Sequence, residues 1–286
     1  MSPTQQLSLA WQSLLATLRS LATPALWIPW LLLGAVQVAL AIVIAWFAHP
    51  AVSWFAVRLV RLIGGEEALH YPTIFRLLPA LHARADLVIG AVVGALAAGA
   101  ATRMFAARFT GVEARPGAEL GWALRHAPAL IAINLPLNLL LVGLSLGLDV
   151  VLGRPQVGTI VRQAITLVGL GGAMLLQALF LYATPLVAVS GLGIGPALAS
   201  LPRAFARGAW AALSLALVAV LALLPLQQLA GLGDTLVERG TPEMMAWMTI
   251  AQASLGLVVA FVLTGSATLV YQGDVARAVE PRRPRW

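Results

Sequence analysis

The chain has no cysteine and no lysine; all 18 of its basic residues are arginine. Without cysteine there is no disulfide, no thiolate nucleophile and no thiolate-held zinc. Without lysine there is no P-loop lysine, no Schiff base and no Ser–Lys dyad. An Ala- and Leu-rich chain that uses only arginine also fits a GC-rich coding sequence, so the absence excludes chemistries without pointing to one. Charge of either sign is scarce, 10% of 286 residues, where a soluble domain carries about 25%. With 60% hydrophobic residues and a mean hydropathy of +0.90, there are too few charges to cover a water-facing surface. Lipid must solvate much of the outside. The net charge of +7 is not gathered into a basic cluster interleaved with aromatics, so no nucleic-acid partner is expected. Arginine distributed for membrane orientation accounts for it better.

What the sequence does contain is apolar runs of bilayer length. About 20 mainly apolar residues cross about 30 Å of hydrocarbon. Six stretches qualify, at 26–48, 87–107, 128–148, 164–188, 209–230 and 249–271. The expected fold is an all-α polytopic transmembrane helical bundle forming one domain, 1–286, with a long external loop at 49–86 and a basic tail at 272–286. The first run is too long for a signal-peptide core, no positive side chain precedes Arg19, and no cleavage pattern follows cleanly around Ala48, so it reads as a retained span. The spans contain no charge except Arg103 near the end of the second, where snorkelling to headgroups is expected. If the N-terminus lies inside, inside segments hold eleven arginines and outside loops seven. This bias favours both termini in the cytoplasm, in a bacterial inner membrane. In the first loop, residues 51–63 read either as an interfacial helix or as a continuation of the first span beyond a kink at Pro50, and 73–82 as a short helix broken at Pro79.

Three segments, 3–24, 116–127 and 196–208, are alike in kind. Each starts near a proline, carries arginine on an amphipathic stretch, and enters a pair of spans. The chain therefore reads as three units of cytoplasmic interfacial helix plus span hairpin, although any six-span protein has three inside segments with some arginine. Tyr182-Ala-Thr-Pro185 followed by Gly191, Pro196-Ala197, Ser200, Arg203 and Gly208 resembles a group of bacterial six-span membrane families. That group includes the membrane domain attached to some glycerophosphodiester phosphodiesterases. Arg103, Gly111, Pro116 and Pro128 are similar to the preceding connection of the same group, so the resemblance covers 103–224. The chain departs from it in having no room for the soluble phosphodiesterase barrel. The resemblance implies the fold and not the hydrolase activity.

Lipid tails give no hydrophobic drive between helices, so small residues and polar links must join them. Gly90 and Gly94, Ala95 and Gly99, and Gly169, Gly171 and Gly172 read as packing grooves, with a hinge as the alternative. In the third span Asn134 and Asn138 share a face around Pro136, which leaves a backbone carbonyl free. Asn138, Gln37 and Gln177 fall near the middle of their spans, so Gln37, Asn134, Asn138 and Gln177 form a candidate polar layer. Such a layer serves either as interhelical glue or as a substrate site. Neutral amides make a proton relay unlikely chemistry here.

No catalytic, cofactor or metal residues are assigned. Gly143-Leu-Ser145-Leu-Gly147 matches the nucleophile-elbow pattern but lies inside an apolar span without a His partner. Gly265-Ser266 has no following His, and Gly191-x-Gly193-x-Gly195 has no preceding strand. His49, His70 and His82 share the first loop with Glu66, Glu67 and Asp86, but no pair has ligand spacing on one helix turn. Arg19, Arg125, Arg203 and Arg207 are candidate headgroup contacts, and the tail 281–286 is a topology anchor that also suits anionic lipid. The primary expectation is a non-enzymatic membrane protein that organises lipids or partner membrane proteins. The alternative is a transporter or channel for a small neutral or weakly polar substrate, which the lack of charge within the spans disfavours.

Overall fold

The computed structural model describes residues 2–71, 73–152, 158–230, 235–236, 239, 241 and 243–276. Among them the regular structure is helical, and six helices are long and apolar enough to cross a membrane: Pro24–Ala45, Leu77–Phe109, Ala127–Leu148, Ile160–Ala188, Ile194–Pro225 and Met244–Val275. The protein is an all-α polytopic helical bundle.

The chain starts with α1 (Pro3–Arg19). Ser2 caps it in a reciprocal box with Gln5, and Pro3 occupies the first turn, where its missing N–H costs nothing. Two 3-10 turns, Ser20–Ala22 and Pro24–Trp27, lead into α2 (Ile28–Ala45). Turns over 46–52 separate α2 from α3 (Ser53–Gly64), so 51–63 is a helix of its own and not an extension of the first span. Ala56 and Val60 bury one side of α3, while Trp54, Phe55 and Leu62 stay exposed.

Residues 73–89 differ from the expectation. The helix α4 (Thr73–Ile89) runs unbroken through Pro79. It passes through a π-helical turn, Gly90–Gly94, into α5 (Ala95–Phe109). The second span is thus 33 residues long and starts at Leu77. Its first two turns had read as loop because His82, Arg84 and Asp86 punctuate them. In the structure Leu78 and Leu81 are buried there with Ile44, Val60 and Ile74 in one apolar cluster.

Next come α6 (Pro116–Arg125), α7 (Ala127–Leu152), α8 (Thr159–Phe180), α9 (Ala183–Ala188), α10 (Ile194–Ala230) and α11 (Met244–Val270), the last extended by a π-helical turn, Tyr271–Val275. Inside α10 the backbone leaves helical geometry at Gly208, φ −116° and ψ 26°. A short helix therefore stands before the first, third and fifth spans, at the three segments that looked alike in sequence. Helix α1 packs on α11 and α6 on α5, in each case the second span of the preceding hairpin, while α10, which continues into the fifth span, packs on α8. The first unit packs on the last, which closes the ring.

The break at Gly208 exposes backbone groups that lipid cannot satisfy. They are met by side chains. The Gln6 amide N–H donates to Arg207 O at 2.8 Å, the Trp210 N–H donates to Gln6 Oε1 at 3.0 Å, and the Tyr182 hydroxyl donates to Gly208 O at 3.1 Å. A Cβ on Gly208 would sit 2.5 Å from that hydroxyl, so the close approach requires glycine. Helix α1 is turned inside out relative to a helix in water. Gln6, Ser13 and Thr17 are buried, while Leu7, Trp11, Leu15 and Leu18 are exposed.

Candidate functional site

One cavity of about 420 Å³ lies in the bundle, with lining residues from all six spans. Its volume falls within the roughly 300–1,000 Å³ typical of small-molecule sites. Helix periodicity builds one wall. Asp86, Gly90, Gly94, Ala98 and Thr102 recur every fourth residue along the second span, and all five line the cavity. Between the polar ends that wall consists of small residues. The last span, which packs against the second, adds Gly256, Ala260 and Thr264.

Gln37, Asn134, Asn138 and Gln177, which come from three different spans, all line this cavity. The structure thus brings the four candidate polar-layer residues around one space. Gln37 donates through Nε2 to Asp86 Oδ1 at 2.7 Å, which ties the first span to the second. One turn away, His82 is buried with its Nε2 3.4 Å from Gln37 O. Asn134 donates through Nδ2 to Leu130 O at 2.8 Å and to Thr184 Oγ1 at 3.2 Å, tying the third span to the fourth. Asn138 donates to Asn134 O at 3.0 Å. Each asparagine therefore directs its N–H groups to a carbonyl one turn back, on either side of Pro136.

Three buried polar atoms have no hydrogen-bond partner among the described residues: Trp30 Nε1, Gln37 Oε1 and Thr102 Oγ1. Their residues are 3%, 8% and 0% exposed, and all three line the cavity. Leaving a buried polar group unpaired costs about 1–3 kcal/mol, and such groups in a native fold call for an explanation. What the three have in common is that their residues line the same cavity.

Asp86 corrects the expectation that the spans carry no carboxylate. It lies within the 33-residue second span and on the cavity wall. Two sequence features marked it: the four-residue spacing to Gly90, Gly94, Ala98 and Thr102, and the glutamine at mid-span in the neighbouring helix. Trp30, Thr102 and Thr184 were not singled out, since one Trp or Thr in an apolar helix carries no signal by itself.

The glycines divide into two kinds. A Cβ on Gly99 would lie 2.5 Å from Leu130, one on Gly34 2.6 Å from Leu257, and one on Gly169 would collide with Leu148, so these are packing contacts. A Cβ on Gly90 would meet nothing within 4 Å, and one on Gly94 nothing nearer than Leu33 at 3.9 Å. Gly90 and Gly94 both line the cavity, and the turn they bound packs against α7.

Arg19, Arg125 and Arg203 are exposed. Arg207 grips Asp274, with Nη2 3.0 Å from Oδ1 and Nε 3.3 Å from both oxygens, so it clamps α10 to the end of the last span. Arg103 does not snorkel. Its Nε donates to Glu119, its Nη1 lies 3.4 Å from Ala188 O, and its guanidinium stands 4.5 Å over the Trp122 ring. These contacts hold α6 against the second and fourth spans. His126 stacks on Trp122, and Ser266 is buried beside Thr17. Among the described residues no three His, Asp or Glu side chains gather as a metal site. The basic tail from 277 on lies outside the described residues. No family model, curated protein or solved structure matches this chain.

Proposed function

We propose that this membrane protein binds a small solute in its central cavity and carries it across the bilayer. The observation that supports this best is the cavity itself. Residues of all six spans line a partly open, ligand-sized space, and three of the lining residues carry a buried polar atom with no hydrogen-bond partner among the described residues. Interhelical glue alone explains Gln37 with Asp86 and Asn134 with Thr184, but it leaves those three atoms unexplained. Small residues line the second and last spans where close packing would otherwise favour larger ones, and a π-helical turn lies in the same wall. Such turns occur frequently at functional sites. The scaffold reading draws less support, because Arg207, one of its four headgroup arginines, already pairs with Asp274.

The arginine distribution supports a bacterial inner membrane with both termini in the cytoplasm. On that orientation the Arg103–Glu119 and Arg207–Asp274 pairs lie at the cytoplasmic end of the bundle. The test of binding uses the full chain in lipid nanodiscs with 2-phenylethanol as an uncharged probe. Saturable thermal stabilisation that Gly90→Leu removes is expected, followed by counterflow in proteoliposomes. No stabilisation, or stabilisation that persists unchanged in Gly90→Leu, refutes the proposal.

A further inference from the structure

We infer that the cavity selects a small organic cation, an ammonium group on an apolar body. This rests on the proposed binding function and assigns its ligand class. The first ground is charge. Asp86 is an anionic group on the wall, and no Arg or His occurs among the described residues that line it. The second is the direction of the amides. The Gln37 Nε2 is engaged by Asp86, and the Asn134 and Asn138 Nδ2 groups by backbone carbonyls. Asn134 Oδ1 accepts from the Thr184 hydroxyl at 3.4 Å, which leaves the oxygens of Gln37 and Asn138. Gln37 Oε1 is buried and unpartnered. A space bordered by a carboxylate and amide oxygens suits a group that only donates hydrogen bonds and carries positive charge, which describes an ammonium. It repels a carboxylate or phosphate, whose oxygens would meet oxygens.

The third ground is shape. Gln37 and Trp30 stand seven residues apart on α2, about 10 Å along its axis. Between these levels the wall is Leu33, Gly94 and Ala98. That stretch accepts a hydrocarbon or aromatic body but offers a hydrated metal ion no ligands. The cationic end of the ligand thus lies at Asp86, with its apolar body along Leu33, Gly94 and Ala98.

Three probes sharing one body separate this inference from the binding function: 2-phenylethylammonium, 2-phenylethanol and phenylacetate, titrated by calorimetry against the full chain in nanodiscs. The cation is expected to bind at least tenfold more tightly than the alcohol, and phenylacetate more weakly than both. Asp86→Asn, which keeps an oxygen for Gln37, is expected to bring the ammonium and the alcohol within about threefold of each other, and Asp86→Glu to restore the preference. If the alcohol binds as tightly as the ammonium in the wild-type chain, the cation inference fails and the cavity function stands. If none of the three binds, both fail. If sodium chloride at equal ionic strength to choline chloride displaces the ammonium selectively, the site is one for an inorganic ion and the inference also fails. The wild-type comparison decides the matter even if Asp86→Asn does not fold.

Discussion

Alanine at Gly90 and alanine at Gly99 are the same chemical change in the same transmembrane helix, yet the structure assigns them opposite consequences. Each replaces a helical glycine by alanine, which favours the helix by about 0.8–1 kcal/mol. That contribution is common to both and cancels when the variants are compared. What remains is the fate of the new methyl group. At Gly90 it meets nothing within 4 Å, whereas at Gly99 it lies 2.5 Å from Leu130 Cδ1 and 2.8 Å from Cδ2. Leu130 is fully buried, so it cannot swing into lipid to make room. Overpacking of this kind costs about 1–3 kcal/mol. Gly99→Ala is therefore expected to be less stable than Gly90→Ala by about that amount. The measurement is reversible unfolding in mixed micelles, titrated with dodecyl sulfate and followed by far-ultraviolet circular dichroism. Gly171→Ala against Gly169→Ala repeats the comparison in α8, where the first methyl meets open space and the second collides with Leu148. If Gly90→Ala proves as destabilising as Gly99→Ala, then Gly90 packs against something and the cavity wall is wrong.

Three further expectations follow from the same structure. Gln6→Leu leaves Arg207 O and the Trp210 N–H without their partner at the broken helix, so a loss of about 1–3 kcal/mol is expected; wild-type stability in that variant would show that these groups do not depend on Gln6. Arg103→Ala strands Glu119 and uncovers Trp122, and should cost about 1.5–3 kcal/mol and raise hydrogen exchange across 116–125. Arg103→Lys should recover only part of this, since a lysine cannot donate to Glu119 while stacking flat on the indole. Because the chain has no cysteine, single-cysteine labelling needs no background removal. A nitroxide at Trp11→Cys should be more accessible to oxygen than to a water-soluble nickel chelate, with the reverse at Arg203→Cys. Equal nickel access at both would place the exposed side of α1 in water.

The bundle was legible because bilayer thickness imposes a length on apolar runs, and length and composition are properties of the sequence alone. The three short helices were legible for a related reason: proline at the start and arginine near the end mark each one. The second span was read short, because His82, Arg84 and Asp86 look like a loop when the chain is followed one residue at a time. Only with Gln37 beside it does Asp86 become part of a transmembrane wall. The four polar-layer residues were found by their depth, but depth gives a level in the membrane and not a direction around the helix axis.

The sequence by itself determined that this backbone is helical and which runs are long and apolar enough to cross a membrane. Tertiary structure decided which of them face one another. A glycine in a span is a notch in either case; whether Leu130 fills it, as at Gly99, or nothing does, as at Gly90, depends on a helix some thirty or forty residues away in the chain. Solvation by lipid is a local property that each segment expresses alone. A cavity is a property of the space between segments, and no one segment encodes it.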